Sequence, residues 1–273
     1  AGETLQPVDL EFSSRAEITG SRVKIEDMEL RSRETKIKAS GIYDGAANSV
    51  TAEIDGDIPS LKAFLQPLPA AGVSGSAGFQ ARIEGPVQAP VLTAKLSGQN
   101  LSYRDIVLGG LEAGLAFTDG RLDIDSLALS NQSSKLVLSG GLQLMDPKGG
   151  AVLSNPPLDL ALAESRLYLQ DFLPGMAKRL GGQVALSGHI SGRLHALEGA
   201  LSVAGRNLKT GVQPIDAADL NCRIRGRRIY LEPLAVSLGP GADGRSTPPP
   251  ERRSKAAPDI RAQGWVSFDR SEE

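Results

Sequence analysis

Apolar and polar residues alternate along most of this chain. From Arg22 to Leu30, Val23 and Ile25, then Met28 and Leu30, are apolar, with Lys24, Glu26 and Glu29 between them. A period of two is that of a strand with one dry and one wet face. The same pattern predicts strands at Lys36–Tyr43, Ser49–Asp55, Ser76–Glu84, Val91–Ser97, Leu111–Phe117, Arg121–Leu129, Lys135–Leu144 and Leu158–Ala163. It continues at Gln183–Ser191, Ala200–Ala204, Asp219–Arg225 and Arg228–Leu238, and resumes at Trp265–Phe268. Ala1 to Leu10 carry too little pattern to assign. Two stretches break the alternation. Leu61, Phe64, Leu65 and Leu68 follow helical spacing, with Ser60 placed to cap and Pro67 to terminate; Leu169, Phe172 and Leu173 before Pro174 repeat the arrangement.

The pattern recurs at long range. Ile83–Leu101 is heard again at Ile190–Leu208, 107 positions on, without a gap. Gly85 falls on Gly192, Ala89 on Ala196, Gly98 on Gly205, and Asn100-Leu101 on Asn207-Leu208. The match extends from Gly75/Gly182 to Ser130/Ser237. A fixed long period marks a repeat architecture, in which each unit buries its apolar face against its neighbours. Val23 to Leu30 also matches Leu122 to Leu129, and Ser40-Gly41 matches Ser139-Gly140. The expected organisation is therefore residues 1–70 as the second half of a preceding repeat plus a helical loop, 71–180 as a full repeat, and 181–273 as an incomplete one. Residues 239–258, rich in Gly, Pro and Arg, read as a disordered insertion. The chain starts and stops in mid-pattern, as a piece of something longer does.

Composition narrows this only at a few points. Aromatic residues make up 4% of the 273, so the dry face must be mostly Leu, Val, Ile and Ala. Glycine (31) and proline (17) suit short strands with many turns. A net charge of −2 exerts no general pull on nucleic acid. The lone Cys222 excludes an intrachain disulfide and a cysteine metal cluster. No apolar run reaches the roughly 18 residues of a membrane span, and no signal peptide is recognisable.

Nearly every strand alternates, yet no long amphipathic helix is there to cover the dry side. Either the sheet folds over and fills itself, or it leaves a groove, and the sequence leaves both open. An uncovered apolar face of that length is an aggregation hazard unless something else occupies it. Acyl chains are natural occupants, since each buried methylene is worth about 0.8 kcal/mol.

Gly75, Gly78, Ile83, Gly85, Pro90, Leu92, Leu96, Asn100 and Leu101, followed by Gly120, Arg121, Leu122, Ile124, Leu127 and Leu129, form a pattern that resembles the TamB family of the AsmA-like superfamily. The second copy departs from it, with Leu197 for the proline, Gly199 where leucine is expected, and Arg227-Arg228-Ile229 for Gly-Arg-Leu. The resemblance implies an all-β, elongated β-taco, a U-shaped, mainly antiparallel sheet with a hydrophobic trough and short helical loops between units. It is similar too to the repeating β-groove of bridge-like lipid transfer proteins. It implies a periplasmic segment of a protein anchored in the inner membrane of a diderm bacterium. The implied partners are phospholipid acyl chains and an outer-membrane assembly barrel. The implied roles are lipid transport to the outer membrane and assembly of outer-membrane proteins.

Other chemistry is harder to place. His189 and His195 lack a third ligand at metal spacing and read as solvated turn residues. Asp123 and Asp125 alternate with Leu122 and Ile124 as a wet strand face, and with Asp119 they lack calcium-loop spacing. Cys222, in phase with Leu220 and Ile224, reads as a small buried residue. Val73-Ser74-Gly75 lies between strand signals, where a nucleophile elbow does not form. Arg223, Arg225, Arg227, Arg228, Arg252, Arg253 and Lys255 lack the interleaved aromatics of a nucleic-acid surface and read as a solvated face. Gly85, Gly98, Gly192 and Gly205 read as strand ends, and Asn100 and Asn207 as residues tolerant of left-handed backbone.

The leading expectation is a lipid-conduit segment with no enzymatic role. Its trough is expected to be lined by Phe79, Ala81, Ile83, Val91, Leu115, Phe117, Leu122, Ile124, Leu136, Leu138, Leu160, Leu162, Val184, Leu186, Leu201, Val203, Ile229 and Leu231. A structural or adhesive β-rod with a filled core, binding protein partners, is the alternative. A polysaccharide-acting β-helix is weaker still, because no set of converging carboxylates repeats.

Overall fold

The computed structural model describes residues 11–32, 34–65, 72–147, 150–176, 180–193, 195–209, 214–226, 228–238 and 260–267. They divide into two compact units, Ala1–Leu129 with Gln143–Leu153 and Ser130–Leu142 with Ser154–Glu273. The expected insertion at 239–258 lies outside the described residues, as do Ala1 to Leu10, Pro67, Leu68, Arg227 and Phe268.

The fold is all-β and antiparallel. In the first unit the strands are β1 (Glu11–Thr19), β2 (Arg22–Ser32), β3 (Thr35–Asp44), β4 (Ser49–Ile58), β5 (Val73–Pro86), β6 (Val91–Tyr103), β7 (Ile106–Thr118) and β8 (Arg121–Asn131, to Leu129). They lie side by side in chain order. The short helix α1 (Leu61–Phe64) joins β4 to β5. In the second unit β9 (Ser134–Gln143, to Leu142), β10 (Pro157–Tyr168), β11 (Gly181–Arg193), β12 (Ala196–Lys209), β13 (Pro214–Gly226), β14 (Arg228–Leu238) and β15 (Ile260–Ser267) do the same. Here α2 (Leu169–Phe172) and a 3-10 turn at Pro174–Met176 follow β10. Strands pair with chain neighbours because tight antiparallel connections need only a few residues.

Alternation places the strands well but shortens them. β6 runs to Tyr103 rather than Ser97, and β12 begins at Ala196 rather than Ala200. The strand expected at Trp265 begins at Ile260. β1 is an addition for which the pattern raised no expectation. Where the apolar phase slips in the sequence, the backbone bulges. Ile25 and Met28 flank a register shift in β2, and Leu231 and Leu234 flank another in β14. The extra residue resets the phase, so the apolar side chains before and after it stay on one face.

The 107-residue repeat is also a repeat of backbone geometry. Gly75 and Gly182 have φ +115° and +110°, Gly85 and Gly192 +112° and +111°. Asn100 and Asn207 have φ +51° and +50°. These asparagines sit inside β6 and β12 rather than in turns, and so do Gly98 and Gly205, which the sequence reading put at strand ends. A Cβ at Gly98 would stand 2.8 Å from Leu101 Cδ1, and one at Gly205 2.7 Å from Leu208 Cδ1. The left-handed asparagine lets the next leucine fold back over the glycine. The Gly-x-Asn-Leu signature is thus one local device used twice.

Candidate functional site: an uncovered apolar face

Directly paired residues of an antiparallel sheet share a face. In the first unit, Ala52, Ile54, Gly56 and Ile58 of β4 pair with Ile83, Ala81, Phe79 and Ala77 of β5. Those pair with Leu92, Ala94, Leu96 and Gly98 of β6, and the first three of these with Phe117, Leu115 and Ala113 of β7. The face is apolar throughout. Leu122 and Ile124 of β8 join it by alternation, since a Cβ on Gly114, a wet-face position of β7, would meet Asp125 at 3.7 Å. In the second unit Leu138–Leu162, Leu160–Ile190, Leu186–Val203, Leu201–Cys222–Leu231 and Ile224–Ile229 are pairs of the same kind. Leu136 and Val184 lie two residues from Leu138 and Leu186, on that face.

Of the candidate lining residues one is misplaced. Val91 pairs with Glu84, not Ile83, so it stands on the wet face and is 39% exposed. The strand begins at Val91, but Leu92, Ala94 and Leu96 are its dry positions. Thr93, Lys95 and Ser97, in phase with Val91, carried the signal that separates the two sets. Ile54, Ile190, Leu197, Leu220 and Ile224 also belong to the apolar face and were not among the candidates.

The other candidates, Phe79 to Leu231, are all half-buried. Among the described residues only Ile58, Leu101 and Ala113 are buried hydrophobics. A second layer packed on the face would bury these side chains, as the two inner faces of a sandwich do. Within each unit, the described side chains of this face keep more exposure than such a layer leaves.

The opposite face is laced with ion pairs. Glu29 meets Arg31, and Lys36 at 3.0 Å. The hydrogen bonds from Arg31, then Lys36, hold its carboxyl at about 2. Arg82 pairs with Glu84 and with Glu53, Arg121 with Asp123 (2.6 Å), Arg206 with Asp219 (2.7 Å) and Arg223 with Glu232 (2.7 Å). His189 lies within β11, not in a turn, and its Nε2 is 2.5 Å from Asp159 Oδ1. The His195 backbone N–H donates to Asn155 Oδ1. Two shallow depressions, of about 420 and 440 Å³, open on this wet face around Lys38, Asp55 and Gln80, and around Ser187, Ser202 and Asn221.

Cys222 stands on the dry face between Leu201 and Leu231, and burial, then the charge of Glu232, pushes its thiol above the usual range. No group of three or more His, Cys, Asp or Glu gathers as a metal site among the described residues. No helix among them is long and apolar enough to cross a membrane.

One buried polar cluster escaped the sequence reading. Asp171 of α2 accepts from Ser134 Oγ (2.7 Å) and from the Ser133 N–H (3.3 Å), and its carbonyl accepts from Asn131 Nδ2 (2.6 Å). Ser134 Oγ also accepts from the Tyr168 N–H, at 2.7 Å. Ser165 Oγ spans the β10 bulge, accepting from the Val137 N–H and donating to the Ala163 carbonyl. These side chains satisfy backbone and pin the α2 loop to the turn before β9. Comparison with known proteins finds no matching family model, no matching curated protein and no matching solved structure.

Proposed function

We propose that this chain is a segment of a lipid-transfer conduit, with phospholipid acyl chains lying on the apolar face and headgroups held outside it. One observation carries the reading. Leucine, isoleucine, valine and phenylalanine side chains cover one face of each unit, and nearly all of those described are only half-buried. Linear hydrocarbon suits such a face, since it needs no hydrogen bonds and its transfer from water is favourable along its whole length. Apart from Val91, the candidate residues act together as a dry wall, and none is catalytic. In this reading the chain is not an enzyme.

The resemblance to the TamB family supplies the setting. The parent protein is anchored in the inner membrane of a diderm bacterium, crosses the periplasm and partners an outer-membrane assembly barrel. It serves lipid transport and outer-membrane protein assembly there. The geometric repetition at Gly75/Gly182, Gly85/Gly192 and Asn100/Asn207 supports a repeating groove in both copies, including the second, whose sequence departs further from the family pattern.

Ile124→Asp is the test, because it places a carboxylate on the dry face of β8, where bound hydrocarbon would strip it of water. The expected result is a several-fold loss of phospholipid co-purifying with the chain and of transfer between liposomes. Lipid content and transfer equal to wild type contradict the reading. Absence of lipid from the wild type, with a stoichiometric protein partner instead, would favour a structural rod.

A further inference from the structure

We propose that the tip joining β13 to β14 binds the phosphate of an anionic phospholipid, with Arg225 and Arg228 as its ligands. The inference rests on the lipid reading above and adds the headgroup, which that reading leaves open. Arg225 and Arg228 are direct partners at the end of the hairpin, and both are exposed. Like charges directly opposite each other destabilise a sheet. Glu198, the partner of Arg225 across β12, is the facing carboxylate, yet the two make no ion pair. An anion seated between the two guanidiniums relieves their repulsion. A phosphate also offers the planar fork of an arginine two oxygens at once.

The tip adjoins the dry face. Ile224 and Ile229 are the next pair along the hairpin, and Leu197 pairs with Gly226 on the same side. A Cβ added at Gly226 would have nothing within 4 Å, so that corner of the sheet is open. A lipid with its tails on Leu197, Ile224 and Ile229 has its phosphate at the strand ends, beside the arginines.

The repeat shows that such a tip need not be basic. At the matching positions the first unit has Thr118 for Arg225, Asp119 for Gly226, Arg121 for Arg228 and Asp123 for Tyr230. Asp119 and Gly226 share left-handed backbone, with φ +51° and +61°. The first tip nonetheless carries two carboxylates, and its Arg121 is held by Asp123 at 2.6 Å. No described residue of the second tip, 225–230, carries a carboxylate.

The test incubates the intact chain with vesicles of phosphatidylglycerol or of phosphatidylcholine with the same tails, and measures the lipid retained after gel filtration. The wild type should retain several-fold more phosphatidylglycerol, with the gap closing at high salt. Arg225→Gln with Arg228→Gln should bring phosphatidylglycerol down to the phosphatidylcholine level and leave phosphatidylcholine unchanged. Arg121→Gln in the first unit should keep the wild-type preference. A preference unchanged in the double variant overturns the headgroup site while leaving lipid binding intact. A fall in both lipids overturns it too, because the arginines would then serve the fold and not the phosphate. Free glycerol phosphate competing as well as the vesicles would make the tip a site for a soluble phosphate instead. Retention of neither lipid by the wild type would remove the lipid reading itself, and the headgroup site with it.

Discussion

The two helical loops of this chain have the same leucine and phenylalanine spacing and are held in different ways. In the first unit, Ser60 caps α1 locally, its Oγ accepting from the Ala63 N–H at 3.3 Å, and no α1 residue is buried. In the second, α2 has no side-chain cap, and its own Asp171 is buried, the carboxylate accepting from Ser134 and the backbone carbonyl from Asn131. Counting from the matching leucines, Leu61 and Leu169, Ala63 stands where the other loop has Asp171. The lesson is that local spacing specifies the turn of helix, while tertiary hydrogen bonds decide how firmly it is attached. A four-residue helix cannot support itself, because nucleation costs more than one turn returns.

The largest way to break the contrast is Asp171→Ala. It strands Ser134 Oγ and the Ser133 N–H away from their acceptor and should cost the second unit about 2–3 kcal/mol. Urea denaturation, with hydrogen exchange read at Asn131 to Ser134 and at α2, should show both segments loosening together. Ser60→Ala in the first unit should cost about 0.5–1 kcal/mol, with exchange rising only in and around α1. Ala63→Asp sharpens the comparison, since it adds the carboxylate without the donors and should change stability by less than about 0.5 kcal/mol.

The smallest effect is electrostatic. Glu29 has its folded-state value lowered to about 2 by Arg31 and Lys36, against roughly 4.3 for a free glutamate. A depressed carboxylate stabilises the fold above its unfolded value, and that contribution is lost as pH falls through the folded one. Acid unfolding of the first unit between about pH 4 and pH 2 should therefore be slightly steeper in the wild type than in Glu29→Gln. The pair lies on the wet face, so salt should flatten the difference.

Much of this fold was legible because a half-buried strand writes its period directly into the sequence. Even the bulges left a trace, as the skip from Ile25 to Met28 shows. β1 was missed because Phe12, Ala16 and Ile18 are interleaved with Ser14 on the dry side, and its pairing shifts between Arg15 and Ala16. Val91 was put on the wrong face because an apolar residue opening a strand says nothing of phase until its successors are counted. The Asp171 cluster was not legible, because Asn131, Ser134 and Ser165 look like turn and wet-face residues until the fold brings them together. The same holds for the ring of Phe79, which fills the space that a Cβ on Gly56 would take. Alternation assigns it a face, but only the paired Gly56 shows which way it lies.

Cys222, the sole cysteine, stands on the dry face between Leu201 and Leu231 and offers a direct reporter of that face. The measurement is the rate at which a maleimide labels it in protein stripped of lipid and again after incubation with phospholipid vesicles. An open face that takes acyl chains should leave the thiol reactive when stripped and slow its labelling several-fold once loaded. A thiol equally protected with and without lipid would mean that the protein fills the face itself. One equally reactive in both would mean that acyl chains do not lie there.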